Sequence, residues 1–286
     1  MNQLEKMNIK IRLNKERKEY CNNWEISSCD FLNGGIYEWC EDIIKDKHCL
    51  FEIGVGTGIS SKFLIEKGHR IFGIEENPEC IKKCKETLSD NDVRIIERGE
   101  ETTPPYSNYY EMEYHDFQEE LDESQSIIIE SDFMMEDVIP KKFPNIKFDA
   151  IICWFIGVHN MMGFNFNQIQ RYRTTDTVDK EIYRQTLQCA IFEVADKYLN
   201  KNGIINLVDR GIVFKDKEKE EEWVKDYSER FIGDHPFEIV DFQSLVIDNP
   251  NKVGDGIKYH KKNKSGEFEL VQEDKIAIFS MYIMKK

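Results

Sequence analysis

The stretch Cys49 to Ile53 reads as a strand, apolar except for Glu52, and runs into three alternate glycines at 54, 56 and 58. Ile59 to Lys67 then carries a helical pattern that Gly68 stops, and a second apolar strand, Arg70 to Ile74, ends in the acid Glu75. Asn77 caps a further helix with Pro78 at its first position, running to about Leu88 before Ser89-Asp-Asn-Asp92 ends it. After a gap the alternation resumes with an apolar strand from Ser126 that ends in acids at 130 and 132, and another from Lys147 to Trp154. Val178 to Leu199 is an amphipathic helix closed by Asn200-Lys-Asn-Gly203, and Ile204 to Asp209 is the next buried strand. A charged helix over Asp216 to Phe231 has an inner stripe of Trp223, Val224, Tyr227 and Phe231, and strands Phe237 to Ile247 and Ile276 to Met284 follow. Strands alternating with helices predict an α/β chain around a mostly parallel sheet.

Three segments stand outside that alternation. Residues 1–47 predict an N-terminal helical cap: 1–19 is a charged, frayed helix without chemistry, and Asp30 to Ile44 places Phe31, Ile36, Trp39, Cys40 and Ile43 at helical intervals. Residues 93–125 are an insertion with Thr102-Thr-Pro-Pro105, tyrosines at 106, 109, 110 and 114, His115 and an acidic run to Glu123. That composition fits a solvated excursion or a lid whose aromatics surround a substrate. Residues 249–274, with Gly254, Gly256 and Lys264-Ser-Gly-Glu267, predict a small exposed hairpin. Nothing divides the chain, so 1–286 is read as one domain.

Charge and cysteine usage narrow the function. Against 39 bases stand 54 acids, and the net charge of −15 repels a polyphosphate backbone, so no nucleic acid is expected as a partner. No apolar stretch approaches a membrane span and the N-terminus lacks the apolar core of a secretion signal, so a cytoplasmic protein without a membrane partner is expected. The eight cysteines form no C-x-x-C pair and are read as buried free thiols. Cys80 and Cys84 could share a helix face, but Ile81, Cys84 and Leu88 also make an ordinary core stripe, and no metal is assigned.

The chemistry concentrates in the first β-α-β unit. Glycines let the backbone approach a ligand and take positive φ, and the free N–H groups at the start of the next helix face whatever is bound. Glu75 lies 21 positions after Gly54, where a nucleoside-binding α/β fold hydrogen-bonds ribose. Dinucleotide folds use G-x-G-x-x-G, whereas this chain has Glu52-x-Gly54-x-Gly56-x-Gly58. This turn, with the acid in Gly73-Ile-Glu75, resembles the first two motifs of the class I S-adenosylmethionine-dependent methyltransferases. The resemblance extends over about residues 49–286, with Ser126 to Phe133, chosen over Val93 to Glu97, similar to the third motif and Leu199-Asn-Lys-Asn-Gly203 similar to a later turn of the family. It implies a Rossmann-like, doubly wound, seven-stranded, mostly parallel sheet with an antiparallel edge hairpin. It also implies S-adenosylmethionine as cofactor, bound by Glu52, Gly54, Gly56, Gly58, Glu75 at the ribose, Asp132 at the adenine amino group and Phe133 on the ring. The implied reaction is methyl transfer to an N, O or C nucleophile, leaving S-adenosylhomocysteine. A nicotinamide-dependent oxidoreductase and a non-catalytic cofactor-binding subunit are the competing readings.

The acceptor side is less legible. Phe155 to Met162 follows a central strand, where a doubly wound fold presents residues to ligands, and it lacks the Asn/Asp-Pro-Pro-aromatic signature of base-amine methylation. His159 is the titratable group there and is the candidate base. Arg171 and Arg173 could clamp a carboxylate. Tyr20 and Trp24 are either packing residues or a lid over the reactive methyl group. With Tyr110 and Trp154 they complete the candidate surround of a small, partly apolar acceptor.

Overall fold

A computed structural model of the chain describes residues 3–103, 109–118, 122, 124–134, 138–165, 180–253, 256–262 and 268–286. Its first elements are helices α1 (Gln3–Asn33) and α2 (Ile36–Asp42), then strand β1 (Cys49–Ile53), α3 (Ile59–Glu66), β2 (Arg70–Glu75), α4 (Pro78–Thr87) and β3 (Val93–Ile96). A hairpin of β4 (Glu100–Thr103) and β5 (Glu111–Tyr114) precedes β6 (Ser126–Glu130), α5 (Val138–Lys142) and β7 (Phe148–Trp154). The remainder comprises α6 (Lys180–Tyr198), β8 (Leu199–Gly211), α7 (Lys217–Tyr227), β9 (Phe237–Asp248), the short strands β10 (His260–Lys262) and β11 (Phe268–Leu270), and β12 (Lys275–Lys285).

The main sheet has the order β3-β6-β2-β1-β7-β8-β12-β9. The strands from β3 to β8 pair in parallel, and β12 runs antiparallel to both β8 and β9. This is the doubly wound, Rossmann-like sheet with a reversed edge pair, but with eight strands in place of the seven expected. The extra strand is β3, at the start of the segment read as a 93–125 insertion; it pairs with β6 from Val93–Ser126 to Ile96–Ile129 and extends the sheet beyond the motif strand.

Successive residues of the central strands serve opposite faces, as strand geometry requires. Phe51, Ile53, Ile151 and Cys153 join a core with Leu187, Ile191 and Ala195 of α6, while Leu50, Ile152 and Trp154 join one with Trp24, Phe31 and Tyr37 from the N-terminal helices. Asn77 caps α4 by accepting from Glu79 N at 3.0 Å, and Asp216 caps α7 by accepting from Lys219 N at 3.0 Å, as the sequence pattern requires. Six of the cysteines are buried free thiols; Cys29 is exposed and Cys189 half-buried.

The N-terminal segment differs from its sequence reading. It is one continuous helix from Gln3 to Asn33, with Leu13, Arg17, Trp24 and Phe31 buried along one face. A charged residue inside that stripe hides its amphipathicity from a hydropathy reading. The β4–β5 hairpin packs against this helix rather than over the sheet edge: Tyr110, Met112 and Tyr114 form a separate core with Ile9, Leu13 and Met161. No helix among the described residues is long and apolar enough to cross a membrane.

Candidate functional site

Strand order reverses between β1 and β7, and ligands in open α/β sheets bind beyond the carboxyl ends of the strands flanking such a point. The turn after β1 and the loop after β7 therefore face one crevice. In that turn Gly54 has φ 80° and Gly56 has φ 59°, in the left-handed region where side chains are strained. A Cβ on Gly54 would meet Ile156 Cδ1 at 2.7 Å, and one on Gly56 would meet Trp24 Cδ1 at 2.6 Å. Gly58 shares that backbone, at φ 79°, and its missing Cβ would meet Cys84 Sγ at 2.8 Å, so it also permits α3 to pack on α4. Glu52 lies behind the turn and accepts from Ser60 Oγ at 2.6 Å and Ser61 Oγ at 2.5 Å. Burial pushes its carboxyl up to about 7 against those two hydroxyls.

At the end of β2 two adjacent acids take opposite electrostatic roles. Glu75 accepts from Gly56 N at 2.8 Å and from Asn77 N at 2.9 Å, so it ties the glycine turn to the start of α4. Burial, then the neighbouring Glu76 charge, pushes it up to about 7. Burial would raise Glu76 too, but Arg17 and His159 hold it at about 2. Arg17 Nη2 lies 3.0 Å from Glu76 Oε2, and His159 Nε2 lies 3.3 Å from Oε1, close to the carboxylate though not aligned as a hydrogen bond. Beyond β6, Asp132 is buried and accepts from Met134 N at 2.9 Å. The ring of Phe133 packs 5.8 Å from that of Phe51.

Two cavities meet at the crevice. The smaller, about 40 Å³, is lined by Gly54, Gly56, Glu75, Glu76, Asp132 and Phe133, with Tyr20 and Trp24 of α1 across from them. The larger, about 930 Å³, falls in the range of small-molecule sites. Tyr20, Ile156, Gly157 and Val158 line both. The Tyr20 hydroxyl stands 2.6 Å from where a Cβ on Gly157 would sit, so only glycine admits the phenol there. Burial, with Cys80 and Glu75 nearby, lifts the Tyr20 phenol well above its ordinary pKa and keeps it neutral. Phe155 precedes this loop with φ 57°, a strained conformation for an aromatic residue, and stacks on Phe31 of α1 at 4.3 Å.

The larger cavity draws its walls from distant parts of the chain. His159 comes from the β7 loop, Arg210 from β8, Trp223 and Tyr227 from α7, and Tyr259 from the segment before β10. That segment was read as an exposed hairpin; β10 and β11 do form one, but Ile257 N donates to Ser27 Oγ of α1 at 2.8 Å and draws residues 256–261 onto the cavity.

Of the residues singled out in the sequence, Gly54, Gly56, Glu75, Asp132, Phe133, Tyr20 and Trp24 are brought together, and His159 lines the adjoining space. Glu52 and Gly58 shape the turn from outside the cavity. Trp154 is a correction: its side chain lies in the core, with Nε1 donating to Asn206 Oδ1 at 2.7 Å and the ring stacked on Tyr37 at 6.0 Å. Inward-pointing positions of a central strand face the helical layers, not the crevice. Tyr110 is a second correction, because it is fully buried between α1 and Met161 and lines neither cavity. Neither cavity is lined by the described residues of 93–125, so they give no lid. Arg171 and Arg173 lie outside the described residues. Sequence reasoning missed Arg17 and Arg210, which nothing in their own segments marks, and read Tyr227 only as part of the inner stripe of its helix.

No protein-family model matches the chain, and no curated protein matches it. Solved structures do resemble it in chain path. A protein from Pyrococcus horikoshii provisionally assigned as an RNA methyltransferase is 12% identical, over 88% of this chain and 83% of that one, with a TM-score of 0.43. The ribosomal protein L11 methylase from Lactobacillus delbrueckii subsp. bulgaricus is 12% identical over 83% and 70%, with a TM-score of 0.38. The YcgJ protein from Bacillus subtilis is 12% identical over 84% and 92%, with a TM-score of 0.40.

Proposed function

We propose that this chain is an S-adenosylmethionine-dependent methyltransferase acting on a small molecule held in the larger cavity. The shared wall carries the reading: a ligand on the glycine turn and one in the 930 Å³ space would meet across Tyr20, Gly157 and Val158. The donor set fits the cofactor. Glu75 would hold the ribose hydroxyls, since each carboxylate oxygen keeps a lone pair beyond the one given to Gly56 or Asn77. Asp132 and Phe133 would hold the adenine. The cradle is filled by Trp24 and Tyr20, and about 40 Å³ admits only a few waters, so these two side chains turn away as a nucleoside enters.

When bound, the cofactor supplies a methyl group already activated as a sulfonium. The protein contributes alignment and exclusion of water, with Phe155 and the β7 loop walling the crevice. For an acidic nucleophile, His159 takes the proton at Nδ1, which has no partner among the described residues, while Nε2 faces the ionised Glu76. A cavity of about 930 Å³ and a net charge of −15 support a metabolite over a polyanion. The glycine spacing speaks against a nicotinamide cofactor.

The test is calorimetry with S-adenosylhomocysteine and NAD, followed by transfer of labelled methyl into a cell extract separated into metabolite, RNA and protein fractions. We expect S-adenosylhomocysteine to bind, NAD not to bind, and label to enter the metabolite fraction. NAD binding in its place overturns the cofactor reading. Label in RNA or protein overturns the acceptor class, and tight binding without transfer to any fraction leaves a non-catalytic binder.

A further inference from the structure

We propose that the wall of the larger cavity holds an oxyanion-binding site built on Arg210, and that the acceptor is a flat, partly apolar molecule carrying a carboxylate or phosphate monoester. The inference rests on the acceptor cavity described above and deepens it.

Arg210 lies near the carboxyl end of β8, paired across the sheet with Ile278, and its side chain reaches the cavity. Its guanidinium is held by two contacts. Nη1 donates to the Ile257 carbonyl at 3.3 Å, and the charge lies 5.8 Å from the centre of the Tyr259 ring. Nε is buried and has no partner among the described residues. No carboxylate among them pairs with this arginine. The obvious candidate, Asp209, is taken: its Oδ2 pairs with Arg184 and its Oδ1 accepts from the main-chain N–H of Arg210 at 2.8 Å. Burial also depresses the Arg210 pKa, the direction expected where no counter-charge offsets the lost water.

Arg210 is half-buried with its Nε out of water, and a guanidinium even partly withdrawn from water without an anion is costly, so proteins ordinarily pair it. Here it is oriented by a carbonyl and a ring on the 256–261 segment, which itself is anchored to α1 through Ser27. Its planar fork suits an oxyanion bidentately. Around it Tyr20, Phe214, Trp223, Tyr227 and Tyr259 give aromatic faces for an apolar body, and the Tyr227 hydroxyl is a buried donor without a partner among the described residues. Tyr20 lines this space together with Arg210 and also belongs to the wall shared with the glycine turn.

The probes are benzoate, phenyl phosphate and the neutral benzamide, titrated into the full chain at low salt by ligand-observed NMR, with S-adenosylhomocysteine titrated separately by calorimetry. One or both anions should bind at least about tenfold tighter than benzamide, as one charge-assisted hydrogen-bonded pair provides, and the stronger anion identifies the headgroup. Arg210→Gln should bring all three within about twofold, and Arg210→Lys should retain part of the preference. Equal binding of benzamide and both anions by the unaltered protein overturns the proposal, whatever the variants do. So does an undiminished anion preference in a folded Arg210→Gln protein. Anion preference without S-adenosylhomocysteine binding overturns the methyltransferase reading alone.

Discussion

Replacing Glu75 with Gln tests the cofactor half of the site and the electrostatics that surround it. The carboxylate is buried and anchored to Gly56 N at 2.8 Å and Asn77 N at 2.9 Å, so the isosteric amide keeps the shape and one acceptor but turns its NH₂ toward a second N–H. The loss of one such bond and the exposure of its partner cost about 1–3 kcal/mol at low pH. Against this runs a linkage effect. Glu75 rises from an ordinary 4.5 to about 7 on folding, so the stability it contributes is fully present below 4.5 and is lost as pH rises through 7. A rise of that size corresponds to about 3 kcal/mol, which Gln at this position does not lose. Glu52, also pushed up to about 7, titrates in both proteins and cancels. Urea unfolding at pH 4.5 and pH 8 should therefore show the gap between the two proteins shifting by about 3 kcal/mol in favour of Glu75→Gln. Calorimetry at pH 8 should show S-adenosylhomocysteine binding about ten- to a hundredfold weaker in the variant, because only the ionised acid accepts two strong ribose bonds. In the unaltered protein that affinity should climb from pH 6 to pH 8. A stability gap that does not move with pH would refute the buried, strained acid. A binding loss under about threefold would transfer the ribose to Glu76.

Gly56→Ala places a Cβ at φ 59° and 2.6 Å from Trp24 Cδ1; we expect about 1–2 kcal/mol lower stability by urea unfolding and no measurable S-adenosylhomocysteine binding, and intact binding would remove the turn from the site. Arg17→Ala strands the Glu76 carboxylate beside a fully buried position and should cost about 3–5 kcal/mol at pH 7. Because Glu76 is lowered from 4.5 to about 2, its stabilisation is present above 4.5 and lost as pH falls toward 2, so that deficit should narrow over this window; a constant deficit would mean that Arg17 acts by packing alone. Trp24 touches the glycine turn, so S-adenosylhomocysteine should change the indole fluorescence of the chain, and Trp24→Phe should abolish most of that change while Trp223→Phe leaves it.

The sequence by itself determined what depends on neighbours along the chain. Gly54 and Gly56 are demanded by backbone angles, Asn77 and Pro78 by the start of a helix, and Glu75 by its place at the end of an apolar strand; each is a local requirement and each is met. The same locality carried the alternation of strands and helices, and from it the parallel sheet and the crevice at the ends of β1 and β7. It failed where a residue's role depends on what packs against it from elsewhere. Trp154 reads as a site aromatic from its position after a central strand, yet pleating turns it into the helical layer against Tyr37. Tyr110 reads as part of a lid, but its hairpin had α1 to pack on. Val93 to Ile96 gained its place as an eighth strand only because β6 offered an open edge. Arg17 and Arg210 look like surface charges in their own segments. One is drawn inward by Glu76, 59 positions away, and the other is enclosed by Tyr259 and Ile257 from a loop that closes onto α1. A charge's meaning is set by the dielectric and partners around it, and those belong to the fold rather than to any stretch of the chain.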